Sequence, residues 1–160
     1  LSQLLRLTLE AGQQDFVDLD QELALVRAYL DIEGPRYCAR MTATISREPG
    51  LGMAMIPPIL LQPLVENAVK HAVQPSAEPV TIEVTARRRD DCLVLQVEND
   101  GSPVGEDVPG FGIGLENIRR RLEALYGANA SVTAIARAGG GFTTRLVLPY
   151  REAGEIAWQA

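Results

Sequence analysis

Two runs of alternating apolar and polar residues, 80–88 and 93–99, are joined by the charged turn Arg87-Arg88-Arg89-Asp90-Asp91. A strand sends successive side chains to opposite faces, so this alternation marks one buried and one solvated face. A connection this short predicts an antiparallel hairpin. Any fold the chain adopts must be built around that hairpin. Two further strand patterns, residues 131–137 and 142–149, flank Gly139-Gly140-Gly141. Met41, Ala43 and Ile45 alternate with Thr42, Thr44 and Ser46, which predicts one more half-buried strand.

Between these runs the apolar period changes to that of a helix. Leu1, Leu4, Leu5 and Thr8 predict an amphipathic helix over residues 1–11, stopped by Gly12. Asp18 with Gln21 three residues on forms an N-cap pair for a second helix, whose apolar face carries Leu19, Leu23, Val26 and Leu30. Gly34-Pro35 is expected to end or kink it, because Pro35 has no N–H for the carbonyl of Asp31. Pro57-Pro58 suits the start of a third helix running to about Val73, with Pro63 making its first turns irregular. Residues 101–114, rich in Gly and Pro, are expected to be irregular, and residues 115–126 helical up to Gly127. The order of elements predicts an α+β fold: a two-layer α/β sandwich, its mixed, mostly antiparallel sheet covered by helices on one face.

Composition removes several function classes. A net charge of −6 with no basic stripe gives a nucleic-acid partner no electrostatic footing. No apolar run reaches membrane-spanning length, and no signal peptide is visible. Cys38 and Cys92 stand apart without metal-ligand spacing, as reduced thiols of a cytosolic protein do. Opening on Leu1 in mid-pattern, the chain reads as a fragment.

Four stretches carry candidate chemistry. In Val65-Glu66-Asn67-Ala68-Val69-Lys70-His71, the residues Asn67, Lys70 and His71 stand at i, i+3 and i+4, on one helical face. A carboxamide oxygen can ligate Mg²⁺ and a nearby ammonium can meet phosphate oxygens. Equally, Asn67 could satisfy a buried backbone group and Lys70 be a solvated charge. Val97-Glu98-Asn99-Asp100-Gly101 ends a strand in polar groups able to bond a base edge, or forms an ordinary turn. Gly110, Gly112 and Gly114 alternate into a helix that begins near Leu115, so they could cradle phosphates at its positive end or act as a linker. Gly139-Gly140-Gly141-Phe142-Thr143 is a close approach to a ligand or a hairpin turn.

Taken in order, these stretches resemble the N, G1, G2 and terminal Gly-Thr boxes of the ATP-binding superfamily that includes gyrase, the heat-shock chaperone, MutL and histidine kinases, the Bergerat fold. Ile56 through His71 resembles the N-box of LytS-like sensor histidine kinases. Residues 1–6, 17–23, 29–33 and Arg36-Tyr37 are similar to the same family, so the likeness runs to Pro149. It implies that residues 1–40 end the dimerisation and linker helices, 41–150 form the ATP-binding domain, and 151–160 are a tail. It implies ATP and Mg²⁺ as cofactors, with Asn67 as the metal ligand, Lys70 at the phosphates and His71 lining the pocket. Asn99, Asp100 and Gly101 would form the G1 box. Gly110, Gly112, Gly114 and Leu115 would form the hinge and phosphate side of a mobile lid, and Thr143 would lie by the adenine. Asn117 and Arg121 follow the glycine-box helix, as nucleotide contacts or as packing residues. The implied activity is transfer of the ATP γ-phosphate to a histidine upstream of Leu1. It would occur within a homodimer and pass on to a response regulator, often of the LytTR type. The parent would sit in the inner membrane, with this part in the cytoplasm.

The chain departs from the family pattern in places. The leading Asp and second Gly of the G1 box are replaced, giving Asn99-Asp100-Gly101-Ser102-Pro103, and Phe142 stands between Gly141 and Thr143. Leu93, Leu95 and Val97 share the apolar strand face, so parity puts Asn99 inward and Asp100 outward, unless a bulge reverses them. Relatives that hydrolyse ATP carry a Glu base one turn before the metal-binding Asn; Pro63 is there instead, which favours a kinase over an ATPase. The rival from another class is a degenerate module of the same fold that acts through protein contacts.

Overall fold

The computed structural model describes residues 2–101 and 111–155. Helix α1 (Ser2–Gly12) leads to the two-residue strand β1 (Val17–Asp18) and the long helix α2 (Leu19–Tyr37). Asp18 caps α2 as expected: its side chain accepts the Gln21 N–H at 2.8 Å, while the Gln21 side chain accepts the Asp18 N–H at 3.1 Å. Pro35 does not end this helix, which continues one half-turn to Tyr37. So near the end, the proline forfeits one bond to the carbonyl of Asp31, an exposed residue where water can serve instead.

Strand β2 (Met41–Arg47) follows, then β3 (Met55–Ile56), α3 (Gln62–Ala68) with a π-helical turn at Val69–Val73, and the hairpin β4 (Val80–Arg89) and β5 (Cys92–Asn99). Helix α4 (Phe111–Tyr126) and strands β6 (Ser131–Ala136) and β7 (Phe142–Pro149) complete the chain. One sheet has the order β2-β4-β5-β7-β6, in which only the β2–β4 pair is parallel. That parallel pair is possible because α3 provides the crossover. The pairing of β1 with β3 in a second, two-stranded sheet has no periodic signature in so few residues.

Register assembles the core. Val84 faces Val97 and Ala86 faces Leu95 across the hairpin, while Leu95 faces Leu146 and Leu93 faces Leu148 on the other side of β5. These inward residues are buried against Val26 of α2, Leu61 and Val65 around α3, and Ile118 and Leu122 of α4. Burial of each Val, Leu or Ile side chain among them contributes about 1.5–3 kcal/mol. Thr42, Thr44, Glu83, Arg87 and Arg145 are exposed on the outer face. The sandwich with helices on one face is therefore present, as the alternation implies.

Two boundaries fall elsewhere than expected. Residues 57–61 are irregular and α3 begins at Gln62, placing Pro63 in its first turn, where no N–H is required. At the other end, α4 begins at Phe111, so Gly112 and Gly114 belong to its first turn and not to a loop.

Candidate nucleotide site

A small cavity opens where α3 and the start of α4 meet the end of β5 and the beginning of β7. Leu64, Asn67 and Ala68 line it from α3, Val97 and Asn99 from β5, Leu115 from α4, and Phe142 and Thr144 from β7. Most of the wall is apolar, with Asn67, Asn99 and Thr144 as its polar groups, the usual make-up of a small-ligand site.

Asn99 reaches the cavity because it continues the buried parity of Leu93, Leu95 and Val97. It is 7% exposed, and its backbone carbonyl accepts from the Arg137 guanidinium at 3.2 Å. Asp100 turns the other way. Its Oδ1 accepts the Thr81 N–H at 2.6 Å and its own N–H donates to the Thr81 carbonyl at 3.3 Å, tying the end of β5 to the start of β4. No bulge reverses the register there: the pairing of β5 with β7 runs unbroken to Asn99.

Glycines permit the close approaches around these groups. A Cβ on Gly141, whose φ is +85°, would lie 2.0 Å from the Asn99 carbonyl oxygen, so the β6–β7 turn can close over Asn99 only with glycine there. A Cβ on Gly101 would lie 2.7 Å from that of Ala72, so glycine lets the end of β5 pass over the π turn. One on Gly114 would stand 3.3 Å from Asn67 Nδ2, which shows how near the first turn of α4 comes to Asn67.

The expected Asn67/Lys70/His71 face is altered by that π turn. Its i→i+5 bonding, seen as the Gln74 N–H donating to the Val69 carbonyl at 2.9 Å, widens the turn across Lys70 and His71, so the α-helical i, i+3, i+4 spacing from Asn67 does not hold unchanged there. Lys70 is exposed, His71 is half-buried, and neither lines the cavity. Burial, and beside it the Lys70 charge, holds the His71 imidazole below its usual range. Thr143 is not in the cavity either. It sits on the outer sheet face, where its Oγ1 donates to Glu98 Oε1 at 2.8 Å. Strand parity gives the inward positions to Phe142 and Thr144, and the alternation of Leu146 and Leu148 could have identified them. Gly110, and most of the expected lid, lie outside the described residues. Arg121 donates to the Pro58 carbonyl, a packing role within the chain.

Among the described residues no three His, Cys, Asp or Glu side chains gather at a metal-binding distance. A divalent cation at this cavity would take one protein oxygen, from Asn67, and fill its shell with phosphate oxygens and water. Mg²⁺ is commonly held in that way.

A family profile described as histidine kinase-, DNA gyrase B- and HSP90-like ATPase matches residues 58–152. The chain is 33% identical over 168 residues to the sensor histidine kinase/phosphatase LytS of Staphylococcus aureus (strain MRSA252), covering 97% of this chain and 29% of that protein. It thus spans under a third of that relative's length. Its fold is similar to the catalytic domain of histidine kinase ThkA, with a TM-score of 0.63 at 17% identity over 86% of this chain and 97% of that one. The structure of ThkA in complex with the response regulator protein TrrA aligns with a TM-score of 0.60 at 14% identity, covering 94% of this chain and 47% of that chain.

Proposed function

The chain belongs to the family of histidine kinase-, DNA gyrase B- and HSP90-like ATPases, and from that premise we propose that it is the ATP-binding catalytic domain of a two-component sensor histidine kinase. The observation that carries the reading is the convergence of Asn67 and Asn99, from separate elements, on one cavity bordered by the start of α4. Asn99 bonds the adenine edge through its carboxamide, and Thr144 supplies a second polar group on the same wall. Asn67 ligates Mg²⁺ through its side-chain oxygen, and Lys70, exposed and long, reaches toward the phosphates. Bound MgATP supplies the phosphoryl group and the cation that offsets its charge. The protein's part is positioning and electrostatics, as in phosphoryl transfer generally.

Kinase is favoured over ATPase by Pro63, half-buried in the first turn of α3, which cannot activate a water molecule. In the whole protein the acceptor is a histidine outside this chain, presented within a homodimer. The phosphoryl group then passes to a response regulator, as a LytS-like kinase with a LytTR-type partner would pass it. The parent is a membrane protein with this part on the cytoplasmic side. Titration calorimetry of the chain with ATP tests the reading. Binding that requires Mg²⁺ and falls at least about tenfold in Asn67→Ala is the expected result. No binding with or without Mg²⁺ gives the site to a degenerate module that works through protein contacts.

A further inference from the structure

Glu22, in the first turns of α2, is 1% exposed, a rare place for a carboxylate. Its two oxygens are used on one loop: Oε2 accepts the Ile59 N–H at 2.8 Å and Oε1 accepts the Leu61 N–H at 2.7 Å. Burial pushes the carboxyl above its usual range, while the N–H groups of Leu61, Ile59, Gln62 and Leu60 pull it back. The loop so held has an unusual backbone, for Ile59 has φ +58°, a left-handed conformation costly for a β-branched residue. Such a conformation persists only where its surroundings impose it. Arg121 of α4 also holds the same loop, through the Pro58 carbonyl. The loop then launches α3, because the Leu61 carbonyl accepts the N–H groups of Leu64 at 3.1 Å and Val65 at 3.0 Å. Leu64, Asn67 and Ala68 follow within two turns, and all three line the cavity.

We propose that Glu22 is a positioning residue for the nucleotide site: by clasping residues 59–61 it sets the origin of α3, and with it the placement of Asn67 in the cavity. The inference rests on the nucleotide reading of that cavity. It makes α2, through Glu22 bonds to Ile59 and Leu61 that lie outside the cavity lining, a determinant of nucleotide affinity. A buried apolar side chain would stabilise the fold as well, but it could not hold two N–H groups of a left-handed loop.

The test compares Glu22→Gln with Leu30→Ala. Leu30 is buried on α2, so its truncation destabilises the core without touching the loop. Mg²⁺-ATP affinity by calorimetry and amide exchange across residues 60–67 are read well below the Tm of each variant. Glu22→Gln replaces one acceptor with a donor facing an N–H. It should weaken Mg²⁺-ATP binding by about tenfold or more and speed exchange in the loop and the first turn of α3. Leu30→Ala should leave affinity within about twofold. Equal losses in the two variants, or unchanged affinity in Glu22→Gln, overturn the proposal. If Glu22→Gln does not fold, Glu22→Asp, with a shorter reach to the same N–H groups, is measured against the same criteria. If the unaltered chain binds no Mg²⁺-ATP, it is the nucleotide reading that fails. The clasp is then judged by exchange alone, and equal exchange at residues 60–67 in both variants ends it.

Discussion

Asn99 and Asp100 differ by a single position, yet one lines the cavity and the other bonds Thr81 outside it. Their alanine variants should therefore separate cleanly. Asn99→Ala should nearly abolish ATP binding at little cost to the fold. Asp100→Ala should leave affinity close to unchanged and lose about 1 kcal/mol of stability with the Thr81 contact. Asn99→Asp should bind ATP more tightly than the unaltered chain, since a charged acceptor makes a hydrogen bond about twice as strong. Calorimetry with thermal denaturation reads all three, and a reversed ranking of the two alanine variants removes Asn99 from the base-reading position. His71 makes a second residue-level prediction. Its pKa in the folded protein lies below the ordinary imidazole value of about 6.5. On acidification the unfolded chain therefore takes up the proton first. The stability linked to His71 is fully present above about 6.5 and is lost as pH falls through the lower folded value. The Tm should decline between neutral pH and about pH 5 with a shallower slope in His71→Gln. Identical slopes would show that His71 is not shielded.

At the scale of elements, the β6–β7 turn is as much a part of the site as α3. Gly141→Ala places a methyl group against the Asn99 carbonyl from a left-handed backbone, so both turn and strand end must move. It should cost more than about 1 kcal/mol in urea unfolding and weaken ATP binding as well. Gly139→Ala, with nothing within 4 Å of the added carbon, should do neither. Equal behaviour of the two variants would mean that the turn does not shape the cavity. The strands were legible in the sequence because alternation survives wherever one sheet face is buried, and parity alone placed Asn99 inward. The same parity in β7, set by the buried Leu146 and Leu148, puts Phe142 and Thr144 inward and Thr143 outward. Helix starts were harder to read. Pro57-Pro58 resembles a first turn, but the Glu22 carboxylate holds residues 59–61 in an irregular path from 37 residues away in sequence. The π turn at Val69–Val73 has no local composition signal either. It departs from the α-helical spacing from which the Asn67/Lys70/His71 face was expected. At residues 59–61 it is a contact distant in sequence that overrides the local pattern.

At the scale of the whole molecule, the question is where a phosphoryl acceptor can stand. His71 is the only histidine in the sequence. It follows Asn67 by four positions on the same helical segment, half-buried between Lys70 and the buried Ala72 and Val73. In-line transfer needs an attacking nitrogen on the far side of the γ-phosphate from the leaving oxygen. If Asn67 holds the metal as proposed, a side chain four positions on in the same helical segment would lie beside that line, not along it. Incubation of the chain with γ-labelled ATP and Mg²⁺ should therefore leave no acid-labile phosphate on it, even where calorimetry shows binding. His71→Gln should behave identically in that assay, since it removes no acceptor. Acid-labile, base-stable label that disappears in His71→Gln would make His71 the acceptor. The acid lability matters to the design, because a phosphoramidate is lost in acid whereas a phosphate ester on Ser or Thr survives. The same gel lanes thus tell histidine transfer from hydroxyl labelling.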